Sequence, residues 1–225
     1  MTRLSVVIPA LDAAATLPGA LEALARELPE AERILVDGGS RDRTAAIARE
    51  AGMRLLAAPP SRGGQLAAGA AAAAGDWLLF LHADTRLLPG GGDAVRAFMA
   101  RPDSGARAAV FRLALDDDSA AARRLERLVA WRTRVLGLPY GDQGLLIPRP
   151  FYERLGGFRA LPLMEDVDLV RRIGRGRLVP LEASALTSAV RYRRGGWRLR
   201  SARNLLCLGL YYLGLPPRLI LRLYA

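Results

Sequence analysis

Along the first part of the chain, short unbroken apolar runs alternate with longer stretches in which apolar residues recur every three or four positions. Leu4 to Ile8, Arg33 to Val36, Met53 to Ala57 and Trp77 to Leu81 are too short for helices and read as strands, and the unbroken apolar Trp77 to Leu81 reads as one buried on both faces. Between them, Leu17, Ala20, Leu21, Leu24, Ala25 and Leu28 share one helical face, with Thr16 before it as a cap and Pro29 after it as a stop. A second helix ends at Gly52, and an alanine-rich third runs from Ser61 to Ala74. Pro9 closes the first strand. This β-α-β-α-β-α-β order predicts an α/β fold with a mostly parallel central sheet flanked by helices.

The texture changes after residue 90. Pro89-Gly90-Gly91-Gly92 reads as a loop, Ala94 to Ala100 as a short helix and Ala109 to Leu115 as a strand. Asp116, Asp117 and Asp118 form a solvated turn ahead of Ser119, which caps a basic helix over 120–136. Its stripe of Leu125, Leu128, Val129 and Leu136 is interrupted by Arg132. Leu145 to Ile147 predicts a strand, Phe151 to Leu155 a helix stopped by Gly156-Gly157, and a further helix begins near Glu165. The expected organisation is one domain over 1–196, with a nucleotide-binding half to about residue 90 and an acceptor half from 91 to 196. A C-terminal helical segment follows over 197–225.

Composition narrows the class. A hydrophobic content of 51% excludes disorder, and the one cysteine, Cys207, excludes a disulfide framework or a cysteine metal cluster. The chain opens without a basic and apolar leader pattern, which predicts a cytoplasmic protein. The net charge of +11, dominated by arginine, calls for a polyanionic partner. The basic excess lies after residue 120 without a recognition helix or interleaved aromatics, so no nucleic acid is expected; nucleotide phosphates and anionic lipid fit better.

Candidate chemistry clusters where strands end. Polarity flips abruptly at His82-Ala83-Asp84 after the fourth strand, and ligands of open α/β sheets bind beyond the carboxyl ends of strands. Asp84 there suits Mg²⁺ or Mn²⁺, with diphosphate oxygens completing the coordination. Asp12, after the first strand, faces the same edge. After the second strand, Asp37 in a glycine-rich turn with Gly38 is able to accept hydrogen bonds from a base or ribose. Arg62, at a glycine-rich helix start, suits phosphate. Glu165-Asp166-Val167-Asp168 gathers acids at a helix start, either as plain capping of unpaired N–H groups or as a general base for an acceptor hydroxyl. Asp168 faces another way and suits pairing with Arg171 or Arg172.

Four ordered motifs, taken together, resemble glycosyltransferase family 2, the nucleotide-sugar transferases of the Rossmann-like GT-A fold. Val6-Val7-Ile8-Pro9 is similar to that family's opening strand, and Val36 to Thr44 to its Asp-Asp-Gly-Ser signature. His82-Ala83-Asp84 stands at its DxD metal position, and Glu165 to Leu169 at its acid motif. The resemblance implies that Pro9 and Asp37 line a nucleobase pocket, that Asp84 holds the metal, and that Asp166, flanked by Glu165, is the catalytic base of an inverting hexosyltransferase-type reaction. Its implied partners are a nucleotide-diphosphate-sugar donor and a hydroxyl acceptor. The wording of Phe80 to Thr85 and of Gly141-Asp142-Gln143-Gly144, which brings Gln143 into the site, is closest to a bacterial subgroup labelled arsenosugar-biosynthesis glycosyltransferases. The chain departs from the family pattern at Leu11-Asp12-Ala13, at Gly39 and at His82, which replaces the first aspartate of DxD. His82 is read as a ribose or diphosphate contact, with metal ligation and a plain strand-end role as its other readings. Arg191 is the candidate for a late diphosphate contact.

Two rivals are a nucleotidyltransferase acting on a sugar phosphate and an inactive membrane-associated adaptor that binds nucleotide-sugar. The first expects a glycine- and arginine-rich loop where Pro9 to Ala13 stand. In the C-terminal segment, Leu205 to Leu215 is an apolar run of eleven residues, short of the roughly 20 that span a bilayer. Arginines flank it, and Trp197, Tyr211 and Tyr212 suit an interface. It is read as a helix lying peripherally on an anionic membrane, which would suit a lipid-linked acceptor; the other reading closes the core or a homodimer interface.

Overall fold

The computed structural model describes residues 3–224; Met1, Thr2 and Ala225, the outermost residues of the two predicted segments, lie outside it. The strands are β1 Leu4–Ala10, β2 Glu32–Asp37, β3 Arg54–Ala57, β4 Trp77–Phe80, β5 Thr85–Leu87, β6 Ala108–Leu115, β7 Leu145–Pro148 and β8 Leu178–Thr187. The helices are α1 Leu17–Glu27, α2 Thr44–Glu50, α3 Arg62–Ala72, α4 Gly91–Met99, α5 Ala120–Leu136, α6 Arg149–Arg154, α7 Glu165–Ile173, α8 Val190–Gly195, α9 Trp197–Tyr212 and α10 Pro217–Tyr224.

All eight strands join one sheet in the order β3-β2-β1-β4-β7-β6-β8-β5. The first four are mutually parallel, as predicted. The sheet as a whole is mixed, which corrects the expectation of a mostly parallel one: β7 runs antiparallel to β4 and to β6, and β5 antiparallel to β8. β5 and β8 escaped the sequence reading, since Thr85–Leu87 is only three residues long and β8 carries Pro180 and polar positions.

Alternation along the central strands divides the core. Val6, Ile8, Leu35 and Leu79 face one layer with Leu17, Leu21 and Leu24 of α1 and Val95 and Phe98 of α4. Val7, Ile34, Val36, Leu78 and Phe80 face the other, against Leu66 and Ala70 of α3 and Leu169 and Ile173 of α7. The result is an α/β sandwich of helices on both faces of the sheet, with β1 to β4 ending at a common edge.

Two boundaries differ from expectation for physical reasons. Pro9 does not end β1, which continues to Ala10 through pairing of Pro9 with Val36 and of Ala10 with Asp37. α4 begins inside the predicted glycine loop, because only a residue without a side chain fits there. A Cβ on Gly92 would lie 1.9 Å from the Glu27 carbonyl oxygen at the end of α1.

Candidate active site

The loops after β1 and β2 are laced together. Asp12, held at φ 49°, accepts from Arg41 N at 2.7 Å, and Ser40 Oγ accepts from Asp12 N at 2.9 Å. Asp37 accepts from Ser40 N at 3.1 Å, while Asp42 and Thr44 accept from Ala14 N and Ala13 N. Beneath them the buried Gln65 donates to carbonyls at the ends of both strands, Ala10 O at 2.9 Å and the next-to-last carbonyl of β2, Val36 O, at 2.8 Å. Gly38 lies against that amide, where a Cβ would come within 3.1 Å of Nε2.

Beside this edge lies an open cleft enclosing about 850 Å³, walled by Arg62, His82, Asp84, Glu165, Asp166 and Arg191 among others. Six of the predicted site residues therefore come together. Pro9, Asp12, Asp37 and Gly38 share the sheet edge but do not wall this cleft. Gln143 does not wall this cleft either: it is buried, donating to Phe111 O at 2.9 Å and accepting from Thr133 Oγ1 at 2.8 Å. Each end of its amide is engaged by the fold, so it positions the turn Gly141–Gln143.

The cleft is assembled from six segments of the chain. Arg62 opens α3, whose Ser61 caps the Gly64 amide. Its neighbour Gly63 admits the 159–161 loop, which would lie 2.2 Å from a Cβ there. His82 and Asp84 follow β4. The end of β8 ties them down, with Ser188 N donating to Asp84 O at 3.3 Å and Thr187 Oγ1 2.9 Å from Thr85 Oγ1. Asp166 stands in the first turn of α7, where its Oδ2 accepts from Gly141 N at 2.8 Å and its Oδ1 from Val167 N at 2.7 Å. Asp168 is a structural partner instead, buried and paired with Arg159 at 3.0 Å and with Arg172. α7 starts from Met164 at φ 64°, a left-handed conformation uncommon outside glycine. Leu163 and Met164 pack with Cys207, Leu210 and Ile220 of α9 and α10, so the C-terminal helices brace the loop that leads into α7. α9 also supplies Arg200 and Asn204 to the cleft wall.

Burial sets the charges. The His82 imidazole is pushed well below its ordinary pKa by desolvation and by the neighbouring Arg62 and Arg191, and is neutral at pH 7. Burial and the Asp166 charge raise the Glu165 carboxyl, against an ion pair with Arg62 at 3.6 Å. Asp142 is pushed up to about 6 by burial, with Asp166 and Asp84 adding to the shift and Arg132 and Arg62 opposing it. Its Oδ1 is buried without a hydrogen-bond partner. Sequence reasoning gave Asp142 no chemistry, because an aspartate beside glycine reads first as a turn former.

Among the described residues no three His, Cys, Asp or Glu side chains converge closely enough to hold a metal by themselves. The donor set nevertheless fits a hard cation whose remaining ligands come from a diphosphate. Asp84 faces the cleft, the orphaned Asp142 oxygen lies in the same wall, and Mg²⁺ commonly takes one or two carboxylates with substrate phosphates.

The sequence of residues 5–126, over half of the chain, matches the Glycosyl transferase family 2 profile. The chain belongs to this family. A relative, the PGL/p-HBAD biosynthesis glycosyltransferase of Mycobacterium tuberculosis, is 42% identical over 91 residues, which are 37% of this chain and 36% of that protein. The chain thus matches about a third of that relative's own length. In fold it is similar to Staphylococcus aureus TarS in complex with UDP-GlcNAc, at TM-score 0.65 and 15% identity over 83% of this chain and 58% of that one. It is also similar to glucosyl-3-phosphoglycerate synthase from M. tuberculosis in complex with Mn²⁺ and UDP-glucose, at TM-score 0.58 and 19% identity over 83% and 70% of the two chains. At these identities the two structures speak for a shared Rossmann-like sugar-transferase fold.

Proposed function

We propose that this family 2 chain transfers a sugar from a nucleotide-diphosphate-sugar donor to an acceptor hydroxyl, with Mg²⁺ or Mn²⁺ on Asp84 and with Asp166 as the base. The observation that carries the reading is the arrangement of the cleft: Asp166, held by the Gly141 amide, faces the same space as Asp84 and the arginine pair Arg62 and Arg191. The bound nucleotide-sugars and Mn²⁺ of the similar structures support the donor and cation classes.

Arg62 and Arg191 attract the diphosphate, and neutral His82 between them is able to donate or accept one hydrogen bond without adding charge. The cation, when bound, neutralises the departing nucleoside diphosphate. Asp166 takes the proton of the acceptor hydroxyl as that oxygen bonds to the anomeric carbon and the bond to the diphosphate oxygen breaks. A single displacement of this kind inverts the anomeric centre. Glu165, raised to about 7 chiefly by burial and standing 3.6 Å from Arg62, orients that arginine.

The acceptor is proposed to be membrane-borne, with residues 1–196 as the transferase body and 197–225 as appended helices on the inner face of the membrane. No helix among the described residues is long and apolar enough to cross a bilayer. Instead, Leu199, Leu205 and Leu206 of α9 and Leu213 just after it are exposed, at 73%, 69%, 57% and 85%. From residue 183 to the end the chain carries eight arginines and no acid. An apolar helix face set among cations suits anionic lipid headgroups. The finer arsenosugar likeness rests on the wording of Phe80 to Thr85 and Gly141 to Gly144 alone, and nothing in the cleft favours an arsenic-bearing acceptor.

Incubation with a panel of nucleotide-sugars tests the reading. The wild type is expected to release nucleoside diphosphate with Mn²⁺ or Mg²⁺ and to stop in chelator, and Asp84→Ala is expected to be inactive while folded. Full activity of Asp84→Ala in chelator would sink the metal assignment.

A further inference from the structure

The turn that carries Asp142 is fastened on every side, yet none of the fastenings uses the Asp142 carboxylate. Gly141 N donates to Asp166 Oδ2, Gln143 is plugged into Phe111 and Thr133, and Thr187 Oγ1 donates to the Asp142 carbonyl at 3.1 Å. The turn also sits hard against His82, since a Cβ on Gly141 would lie 2.5 Å from its Nε2. Within this fixed frame the Asp142 side chain reaches the cleft with Oδ1 buried and without a hydrogen bond. An unpartnered buried carboxylate oxygen is unfavourable unless a cation or donor arrives to meet it.

Asp84 and Asp166 line the same cleft, and of the two it is Asp84 whose turn is tied to the Asp142 turn. Thr187 touches both the Asp142 carbonyl and the Thr85 hydroxyl, and the next residue, Ser188, donates to the Asp84 carbonyl. The end of β8 therefore clamps the Asp84 turn and the Asp142 turn side by side in one cleft wall. We propose that Asp142 is a second carboxylate ligand of the divalent cation held by Asp84. The inference rests on the metal-dependent reading of this cleft. It assigns the cation two hard oxygen donors, with diphosphate oxygens and water completing the octahedron.

The competing explanation is a structural one. Arg132 also has a buried Nη2 without a partner, although its Nε donates to Leu138 O at 2.7 Å and its guanidinium lies 3.5 Å over the Tyr140 ring. If Asp142 exists to neutralise Arg132, removing its charge weakens the protein in the absence of metal. If it exists to bind a cation, the metal-free protein loses nothing.

Two readouts on the full chain decide, neither of them activity: Mn²⁺ affinity by electron paramagnetic resonance, alone and with UDP, and melting temperature in EDTA. Asp142→Asn is expected to weaken Mn²⁺ binding at least tenfold, to melt in EDTA at or above the wild-type temperature, and to lose the upward shift that Mn²⁺ and UDP give the wild type. Asp142→Ser serves as the second variant should the amide not fold. Mn²⁺ affinity unchanged in both Asp142 variants, with Asp84→Asn unable to bind, would overturn the second-ligand role and leave the Asp84 reading standing. A lowered melting temperature in EDTA with wild-type Mn²⁺ affinity would overturn it in favour of Arg132. A wild type that binds no Mn²⁺ with or without UDP would overturn both readings.

Discussion

Asp166 and Asp168 stand two residues apart in one helical turn and have opposite fates. Asp168 is closed off by Arg159 and Arg172, while Asp166 looks into the cleft and is steadied by two amides. That separation was legible in the sequence, because residues two apart on a helix face different ways. The roles of Gln65, Gln143 and Asp142 were not, since a side chain that meets a distant carbonyl or a neighbouring turn leaves no local periodicity to read. Glu165 offers a test of the site's electrostatics. Its pKa is raised in the folded protein, chiefly by burial, so its contribution to stability is full at low pH and is lost as pH rises through the folded-state value. Glu165→Gln cannot ionise. Chemical denaturation is expected to show the variant gaining on the wild type between pH 5 and pH 8; a difference that is flat with pH, or that moves the other way, would contradict the assigned burial.

At the scale of elements, β1 to β4 and α1 to α3 were legible because each is a single local pattern bounded by proline, glycine or a cap. Ser119 caps α5 as the sequence reading required, accepting from Ala122 N, and Ser61 caps α3 in the same way at Gly64 N, whereas Thr16 precedes α1 without a capping hydrogen bond. β5, β8 and the start of α4 were not legible, because each depends on a contact far away in the chain: Thr85 with Thr187, Gly92 with the end of α1. α9 and α10 are the elements whose role reaches furthest beyond the cleft. Their exposed leucines and the acid-free arginine segment give an expected outcome in vesicle co-sedimentation: the full chain pellets with phosphatidylserine-containing vesicles and not with neutral ones, and raised salt releases it. Replacing Leu205, Leu206 and Leu213 by serine is expected to cut the bound fraction severalfold. Equal pelleting of that variant, or no pelleting of the wild type, would count against a membrane role.

Over the whole molecule, a sheet that begins parallel and finishes mixed brings together residues from far apart in the chain. The parallel half carries Arg62, His82 and Asp84 to one edge; the mixed half, in which β6 runs parallel to β8 and antiparallel to β7, returns Asp142, Asp166 and Arg191 to it. The α/β class followed from the sequence, and the mixed sheet did not, because strand direction in the second half is fixed by pairings such as Phe80 with Leu145 that no local signal announces. The central claim is that this assembly moves a sugar with Asp166 as base. The most direct measurement compares Asp166→Asn with the wild type for nucleotide-sugar turnover and donor affinity in saturating Mn²⁺. The account expects turnover to fall by at least about a hundredfold with donor affinity little changed, the range for loss of a general base. Wild-type turnover in Asp166→Asn would contradict it.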